Sequence, residues 1–334
     1  LKMLRDLSHE GSTPSFGTAT LAMRASQCEH MIKILVIVGP TASGKSDLAV
    51  RLALEFNGEI ISADSRQVYR GLNIATGKIT EKEMRGIPHH CLDIADPKKR
   101  FTIIDWKNKA EKAIVNIHAR GKLPIICGGT GFYINAIVNN TDFPSVKTDN
   151  KLRAKLANKS AGIIFEMLKK IDPIKADSMN ESDRKNPRRL IRAIEIAKSR
   201  GFDRSKQNKN SKIINKPKSK YNYQIIGIDL PKEELKEHIR ARAIDRINRG
   251  MIGEARRLHS NGLSFKRMRE IGLEYKYLAD FLEKKITKER LIETIITKDW
   301  QYARRQKTWW RRNKKIKWFD SRENTAISKV VNQI

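Results

Sequence analysis

Apolar residues first gather in KILVIV, Lys33 to Val38, a continuous β-rich run of the kind buried on both faces of a sheet. After the glycine-rich turn that ends it, Leu48, Ala49, Leu52, Ala53 and Phe56 return at helical spacing. This predicts strand, loop and amphipathic helix in succession. A second strand, EIISAD at 59–64, follows the Asn57-Gly58 turn, and a helix around 103–119, with Ile104, Ala110, Ile114 and Ile117, leads through Gly121 to a third buried strand, LPIICGG. Alternating strand and helix predicts a parallel sheet covered on both faces, with ligands at the carboxyl ends of its strands. Asp64 and Gly128-Gly129-Thr130-Gly131 stand at such ends.

Between about 143 and 200 the strand signal disappears and helices dominate, before YNYQIIGIDL at 221–230 supplies another strand; from Lys232 to about Asn313 the pattern is helical. The expected fold class is α/β: a P-loop NTPase-like parallel core, 31–142 and 221–320, with a helical insertion at 143–200 and a helical C-terminal region. The basic, polar stretch 201–220 reads as a linker, and 1–30, without periodicity, as an unstructured extension or a mis-assigned start upstream of Met31. There are no repeats.

A chain of 334 residues with 39% hydrophobic residues can bury a real core. No apolar run approaches the roughly 20 residues needed to cross a bilayer, so a soluble, cytoplasmic protein is expected. The formal net charge of +31 points to a polyanionic partner, nucleic acid first and an anionic membrane surface second. Cys28, Cys91 and Cys127 lie far apart without a CxxC pair, which argues against a zinc site or a disulfide framework and fits a reducing compartment.

The turn after the first strand, GPTASGKS, has the spacing of a phosphate-cradling P-loop: Gly39, four residues, then Gly44-Lys45-Ser46. In such a loop backbone N–H groups and the next helix's N-terminus close on phosphate oxygens, Lys45 reaches the outer phosphate and Ser46 can hold Mg²⁺. Next, SADSRQVYRGLNIATGK places Asp64 at a strand end with Ser65, Arg66 and Gln67 behind it. By itself Asp64 is a metal ligand, a general base or the cap of the next turn, while Ser65 and Gln67 can hydrogen-bond the edge of an extruded base. The adjacent His89 and His90 point in different directions, which favours structural or pocket-wall roles over a shared metal.

GPTASGKS, ADSRQVYRGLNIATGK, GIPHH, GGTGFYI, NPRRLIRAIEI and RRQKTWWRRNKKIKWFD occur in this order between about Met31 and Asp320. In them the chain resembles the tRNA dimethylallyltransferase family. The resemblance implies transfer of the dimethylallyl group of dimethylallyl diphosphate to N6 of adenosine 37, 3′ to the anticodon of tRNA, with release of diphosphate. It implies Asp64 as general base and Gly39, Thr41, Ala42, Ser43, Gly44, Lys45 and Ser46 as a diphosphate cradle. It also places Arg242 near the diphosphate, and Asp64, Ser65, Arg66, Gln67 and Thr130 against the RNA. Mg²⁺ is the implied cofactor, and a monomer the expected state. Two stretches depart from the family pattern: SRGFDRSKQNK replaces a Thr-Gly-x-Pro turn, and REIGLEYKYL carries Leu where relatives have an IGY turn.

The RNA reading has support apart from the family. Asn186 and Pro187 start a helix on which Arg188 and Arg192 share a face, beside Arg189. Gln301 to Trp318 holds eight basic residues, among them Arg304, Arg305 and Arg311, and no acid, next to Trp309 and Trp310, one of which is expected in the core. Cations with aromatic rings suit an RNA backbone and splayed bases. Rival readings are a small-molecule P-loop kinase, a transferase acting on free adenine nucleotides and a non-catalytic RNA-binding NTPase. The first two leave the basic C-terminal half unexplained, and the last gives Asp64-Ser65-Gln67 no role.

Overall fold

The structure is a computed structural model that describes residues 31–199 and 219–333. The extension expected at 1–30 and nearly all of the linker expected at 201–220 lie outside the described residues. The described residues form two compact units, one of 31–141 with 219–333, the other of 142–199.

The larger unit begins with β1 (Lys33–Val38), α1 (Lys45–Glu55), β2 (Gly58–Ser62), α2 (Glu81–Met84), β3 (His89–His90), α3 (Ile103–Ala119), β4 (Leu123–Gly128) and α4 (Gly131–Val138). The smaller unit holds α5 (Asn150–Leu156), α6 (Ala161–Ile171), α7 (Pro173–Ser178), α8 (Glu181–Arg184) and α9 (Pro187–Ser199). The larger unit then continues with β5 (Asn222–Ile228), α10 (Lys232–Asn248), α11 (Met251–Ser260), α12 (Phe265–Ile271), α13 (Glu274–Leu282), α14 (Lys288–Trp310), β6 (Lys317–Phe319) and α15 (Asn324–Val331).

Six strands form one parallel sheet in the order β3-β2-β4-β1-β5-β6. Ile34 to Val38 are fully buried because β1 lies inside the sheet with apolar layers on both faces. One layer contains Trp106, Ile114 and Ile117 of α3, and the other Leu48 and Leu52 of α1 with Ile327 and Val331 of α15. The helix expected at 103–119 is found there, started by a capping box in which the Thr102 and Asp105 side chains each bond the other's backbone N–H. The register decides where the site lies. Val38 pairs with Gly128, and Ser62 with Cys127, so the carboxyl ends of β1, β4 and β2 are level.

The sheet has two strands beyond those expected. His89 and His90 pair with β2, and Lys317–Phe319, past the helical stretch, pairs with β5. Gly227 has no side chain at that last pairing, where Trp318 and Ile316 occupy the space a Cβ would need. The strand expected over 59–64 ends at Ser62, so Asp64 belongs to the following turn.

The smaller unit has its own core of Leu152, Leu156, Ile164, Leu168, Leu190 and Ile194. Asp149, Ser160, Asp172 and Asn180 cap α5 to α8 in turn, each worth about 1 kcal/mol. Glu195 is buried there, and Arg153, Arg192 and the Asp149 N–H neutralise it and hold its carboxyl below the usual range.

Candidate functional site

Three loops meet at the carboxyl ends of β1, β2 and β4: Gly39–Gly44, Ala63–Gln67 and Gly129–Thr130. Gly44 starts α1 with φ +83°, a left-handed conformation that glycine adopts without a steric penalty. The pocket between these loops is lined on its polar side by Thr41, Lys45, Ser46, Asp64, Arg242 and Gln306. Ala49, Ile60, Ile79 and Leu92 supply an apolar side, and His89, Thr76 and Tyr302 complete the wall.

Lys45 Nζ donates to Pro40 O at 2.9 Å. Burial lowers its pKa to about 8; the nearby Arg242 charge adds to the drop, while Cys127 and Asp64 oppose it. Arg242, from α10, is half-buried like Lys45, and its guanidinium donates to Gly77 O at 2.8 Å and Thr41 Oγ1 at 3.4 Å. Burial is the main cause of its lowered pKa. Two cations thus face one cavity without a carboxylate bonded to either among the described residues, an arrangement that a polyphosphate anion would relieve.

Asp64 lines the same pocket. Its Oδ1 accepts from Arg66 N at 2.8 Å and Gln67 N at 3.3 Å, so the carboxylate does cap its own turn. Oδ2 makes no hydrogen bond among the described residues and remains able to accept one. The Ser65 N–H donates to Thr130 Oγ1 at 3.2 Å, and Tyr302 also bonds Thr130; Thr130 therefore braces the Asp64 turn from behind. Gln67 Nε2 reaches Thr76 O and Gly77 O at 3.4 and 3.3 Å. Arg66 lies against the Gly272 turn.

Three features at the site have little or no sequence signal. Buried Gln306 of α14 accepts from Thr41 N–H at 2.8 Å and donates to Gly129 O at 3.0 Å, joining the phosphate loop to the glycine turn. Buried Glu254 accepts from the N–H groups of Asn73, Ile74 and Ala75 and from the Tyr275 hydroxyl, which shapes the loop carrying Thr76 and Gly77. Beneath that loop, buried Arg246 bonds Ala75 O, Glu274 and Asp299. Gln306 sits in a basic run and Glu254 on an ordinary amphipathic helix, so nothing local distinguishes them from solvated residues. The i, i+4 separation of Arg242 and Arg246 on one helix was the only available cue.

A model of the family described as IPP transferase matches residues 67–313. The chain belongs to the tRNA dimethylallyltransferase (IPP transferase) family. It is 37% identical over 303 residues to the tRNA dimethylallyltransferase of Anoxybacillus flavithermus, covering 90% of this chain and 94% of that protein. With the Halalkalibacterium halodurans enzyme of the same name it shares 38% over 304 residues, again 90% and 94% of the two chains. The full-length tRNA isopentenylpyrophosphate transferase of Bacillus halodurans superposes with a TM-score of 0.66 at 35% identity, covering 90% of this chain and 95% of that one. A eukaryotic dimethylallyltransferase acting on tRNA superposes with a TM-score of 0.72 at 26% identity, over 90% and 77%. The α/β P-loop fold expected from the sequence is therefore that of the family.

In this IPP transferase family member the other candidate residues are placed as follows. Arg304, Arg305 and Arg311 are exposed on α14 and just past its end, and the Arg305 guanidinium lies 5.8 Å from the ring centre of Tyr302, a pocket residue. Trp310 is core at 1% exposure, whereas half-buried Trp309 packs on Gly131. In the smaller unit, Arg188 is exposed, Arg189 pairs with Asp183, and Arg192 pairs with buried Glu195 and so serves that unit's own core. His90 bonds buried Glu59 at 2.8 Å, and His89 lines the pocket. Cys91 and Cys127 are free and buried; Cys28 lies outside the described residues. No group of three or more His, Cys, Asp or Glu that could hold a metal occurs among the described residues. None of the described helices is long and apolar enough to cross a membrane.

Proposed function

We propose that the chain transfers a dimethylallyl group from dimethylallyl diphosphate to N6 of adenosine 37 in tRNA and releases diphosphate. One observation carries this reading: a single pocket brings together two half-buried cations, Lys45 and Arg242, with no carboxylate partner among the described residues, the Asp64 carboxylate and an apolar wall. The Gly39–Gly44 backbone, Lys45 and Arg242 hold the diphosphate, and Ala49, Ile60, Ile79 and Leu92 enclose the five-carbon tail. The adenosine, flipped from its stack, enters beside Asp64 and Gln67. As the N6–C1 bond forms and the C1–O bond to diphosphate breaks, Asp64 Oδ2 takes the N6 proton and the two cations stabilise the charge gained by the leaving group.

The donor set fits Mg²⁺. Exposed Ser46 offers its hydroxyl to the pocket, which suits a hard cation that takes its remaining ligands from substrate phosphates and water. Bound there, Mg²⁺ would supply further neutralisation of diphosphate charge. A cytoplasmic monomer acting on tRNA completes the proposal, with Arg188, Arg304, Arg305 and Arg311 contributing phosphate contacts.

Single-turnover prenyl transfer to unmodified tRNA, with saturating enzyme, tests this reading. Asp64→Asn keeps an acceptor at Oδ1 for the turn but no longer takes a proton, so the rate should fall by about 10²–10⁴-fold while tRNA and donor affinities hold. A near wild-type rate would remove Asp64 as the base. Transfer of phosphate from ATP in place of prenyl transfer would overturn the whole reading.

A further inference from the structure

A second concavity lies on the larger unit, between the segment Ile94–Phe101 and the first three turns of α3. On α3, Asp105, Asn108, Lys109 and Lys112 face it at intervals of three and four residues, while Trp106, Ala110 and Ile114 turn inward. The segment adds Lys99 and Arg100, and Arg70 joins from the stretch that pairs with Ala95. Five cations thus line the groove against two carboxylates, Asp96 and Asp105.

The carboxylates are already committed. Asp105 Oδ2 accepts from the Thr102 N–H and hydroxyl, and Asp96 Oδ1 from Lys98 N–H. Among the described residues Lys99, Arg100, Lys109 and Lys112 have no ion-pair partner. Elsewhere around the same helix cations are neutralised, Lys107 by Glu111 and Arg120 by buried Glu59. The groove is also built in advance of any ligand. Arg267 donates to Pro97 O at 2.9 Å, Lys99 O at 2.7 Å and the Tyr69 hydroxyl at 3.2 Å, which pins the segment; Ala95 N–H and Arg70 N–H pair with Val68 O and Ala95 O.

That pairing connects the groove to the site. Gln67 and Leu92 line the candidate pocket, and Arg70 and Ile94, three and two residues further along the paired segments, line the groove. Extended chain spans at most ~3.3–3.6 Å per residue, so these lining residues of the two sites are at most about 10 Å apart, within reach of the nucleotides next to one held in the pocket. We propose that this groove is a phosphate-binding surface for the RNA substrate, in which Lys99, Arg100, Lys109 and Lys112 take backbone phosphates next to the flipped nucleotide, over a floor of Ile94 and Phe101. It rests on the reading of the pocket as a tRNA prenyl-transfer site and assigns a surface that reading did not use.

The test compares wild type with Lys99→Ala/Arg100→Ala/Lys109→Ala/Lys112→Ala, and with a charge-keeping Lys99→Arg/Lys109→Arg/Lys112→Arg chain. The readouts are filter binding of unmodified tRNA over a salt series and transfer from dimethylallyl diphosphate. Four lost phosphate contacts at roughly 0.7–0.9 each should flatten the log–log salt slope by about 3, so that on a fourfold rise in salt wild type loses about 60-fold more affinity than the variant. The charge-keeping chain should retain the wild-type slope, and kcat at saturating tRNA should hold in both. Unchanged slope and affinity in the quadruple variant, with wild type transferring prenyl groups normally, would overturn the groove alone. Absence of transfer by wild type would instead defeat the reading of the pocket. Groove-dependent binding of polyglutamate or of phosphatidylglycerol vesicles, with tRNA binding unaltered, would also overturn the RNA assignment.

Discussion

At the scale of single residues the site is a matter of charge held out of water. Lys45 has its pKa pulled down to about 8, first by burial. Without a ligand this group penalises the folded state below that value, and the penalty is relieved as pH rises from about 8 toward the unfolded value of 10.5. A bound diphosphate reverses the preference by raising the pKa. Stabilisation of the protein by pyrophosphate should therefore be full near pH 7 and decline as pH rises above about 8; thermal melts with and without pyrophosphate measure this, and Lys45→Met should abolish the decline. Gln306 makes the second residue-level case. Gln306→Met strands the Thr41 N–H and the Gly129 carbonyl, each orphaned group costing about 1–3 kcal/mol. The expected outcome is a lower melting temperature and a raised KM for the prenyl donor, with tRNA affinity held. Gln306→Glu keeps the acceptor for Thr41 but adds a negative charge to the pocket of Lys45 and Arg242, so it should raise the donor KM further than the methionine variant does.

The next scale is that of elements and how they brace one another. Arg246 of α10 joins Ala75 O, Glu274 of α13 and Asp299 of α14, with all three side chains nearly buried. Burial and the neighbouring Glu274 push the Asp299 carboxyl up, against the pull of Arg246. Arg246→Met would leave two carboxylates unpaired, a loss on the order of 3–5 kcal/mol, and should loosen the Thr76–Gly77 loop that bonds Arg242. Denaturant unfolding gives the first effect and donor KM the second. Replacing Glu274 with Gln as well should recover part of the stability, by removing one of the two charges. These braces also mark the limit of what the sequence reveals. KILVIV, LPIICGG and the helix at 103–119 are legible because long apolar runs and a 3.6-residue period carry their own signal. His89–His90 and Lys317–Phe319 are too short to show alternation, and they become strands only because β2 and β5 offer them open edges. Likewise the phosphate loop is a local motif, whereas Gln306 and Glu254 reach the site from 265 and 181 residues away along the chain, through contacts that exist only after folding.

For the whole molecule the governing quantity is the surplus of 68 Lys and Arg over 37 Asp and Glu. Much of that charge is neutralised in place, as at Glu59 and Glu195, or tied down, as Lys307 is to Asp229 at 2.7 Å. Arg304, Arg305, Arg311 and Arg312 remain exposed, with no carboxylate partner among the described residues, along and just beyond a helix whose buried side carries Gln306 and Trp310. Such cations attract a polyanion by releasing its counterions, a term that depends on salt and not on the chemistry in the pocket. Changing all four to Ala should lower the log–log slope of tRNA affinity against salt by about 3 at roughly 0.7–0.9 per contact. The melting temperature should move little, since exposed unpaired charges contribute little to folding. Single-turnover transfer at saturating tRNA should also stay near wild type, because Gln306 on the opposite side of the helix still holds the phosphate loop. Filter binding across a salt series and rapid-quench transfer separate the two effects. A fall in the saturated rate with an unchanged slope would mean that these arginines act through the pocket and not through the RNA backbone.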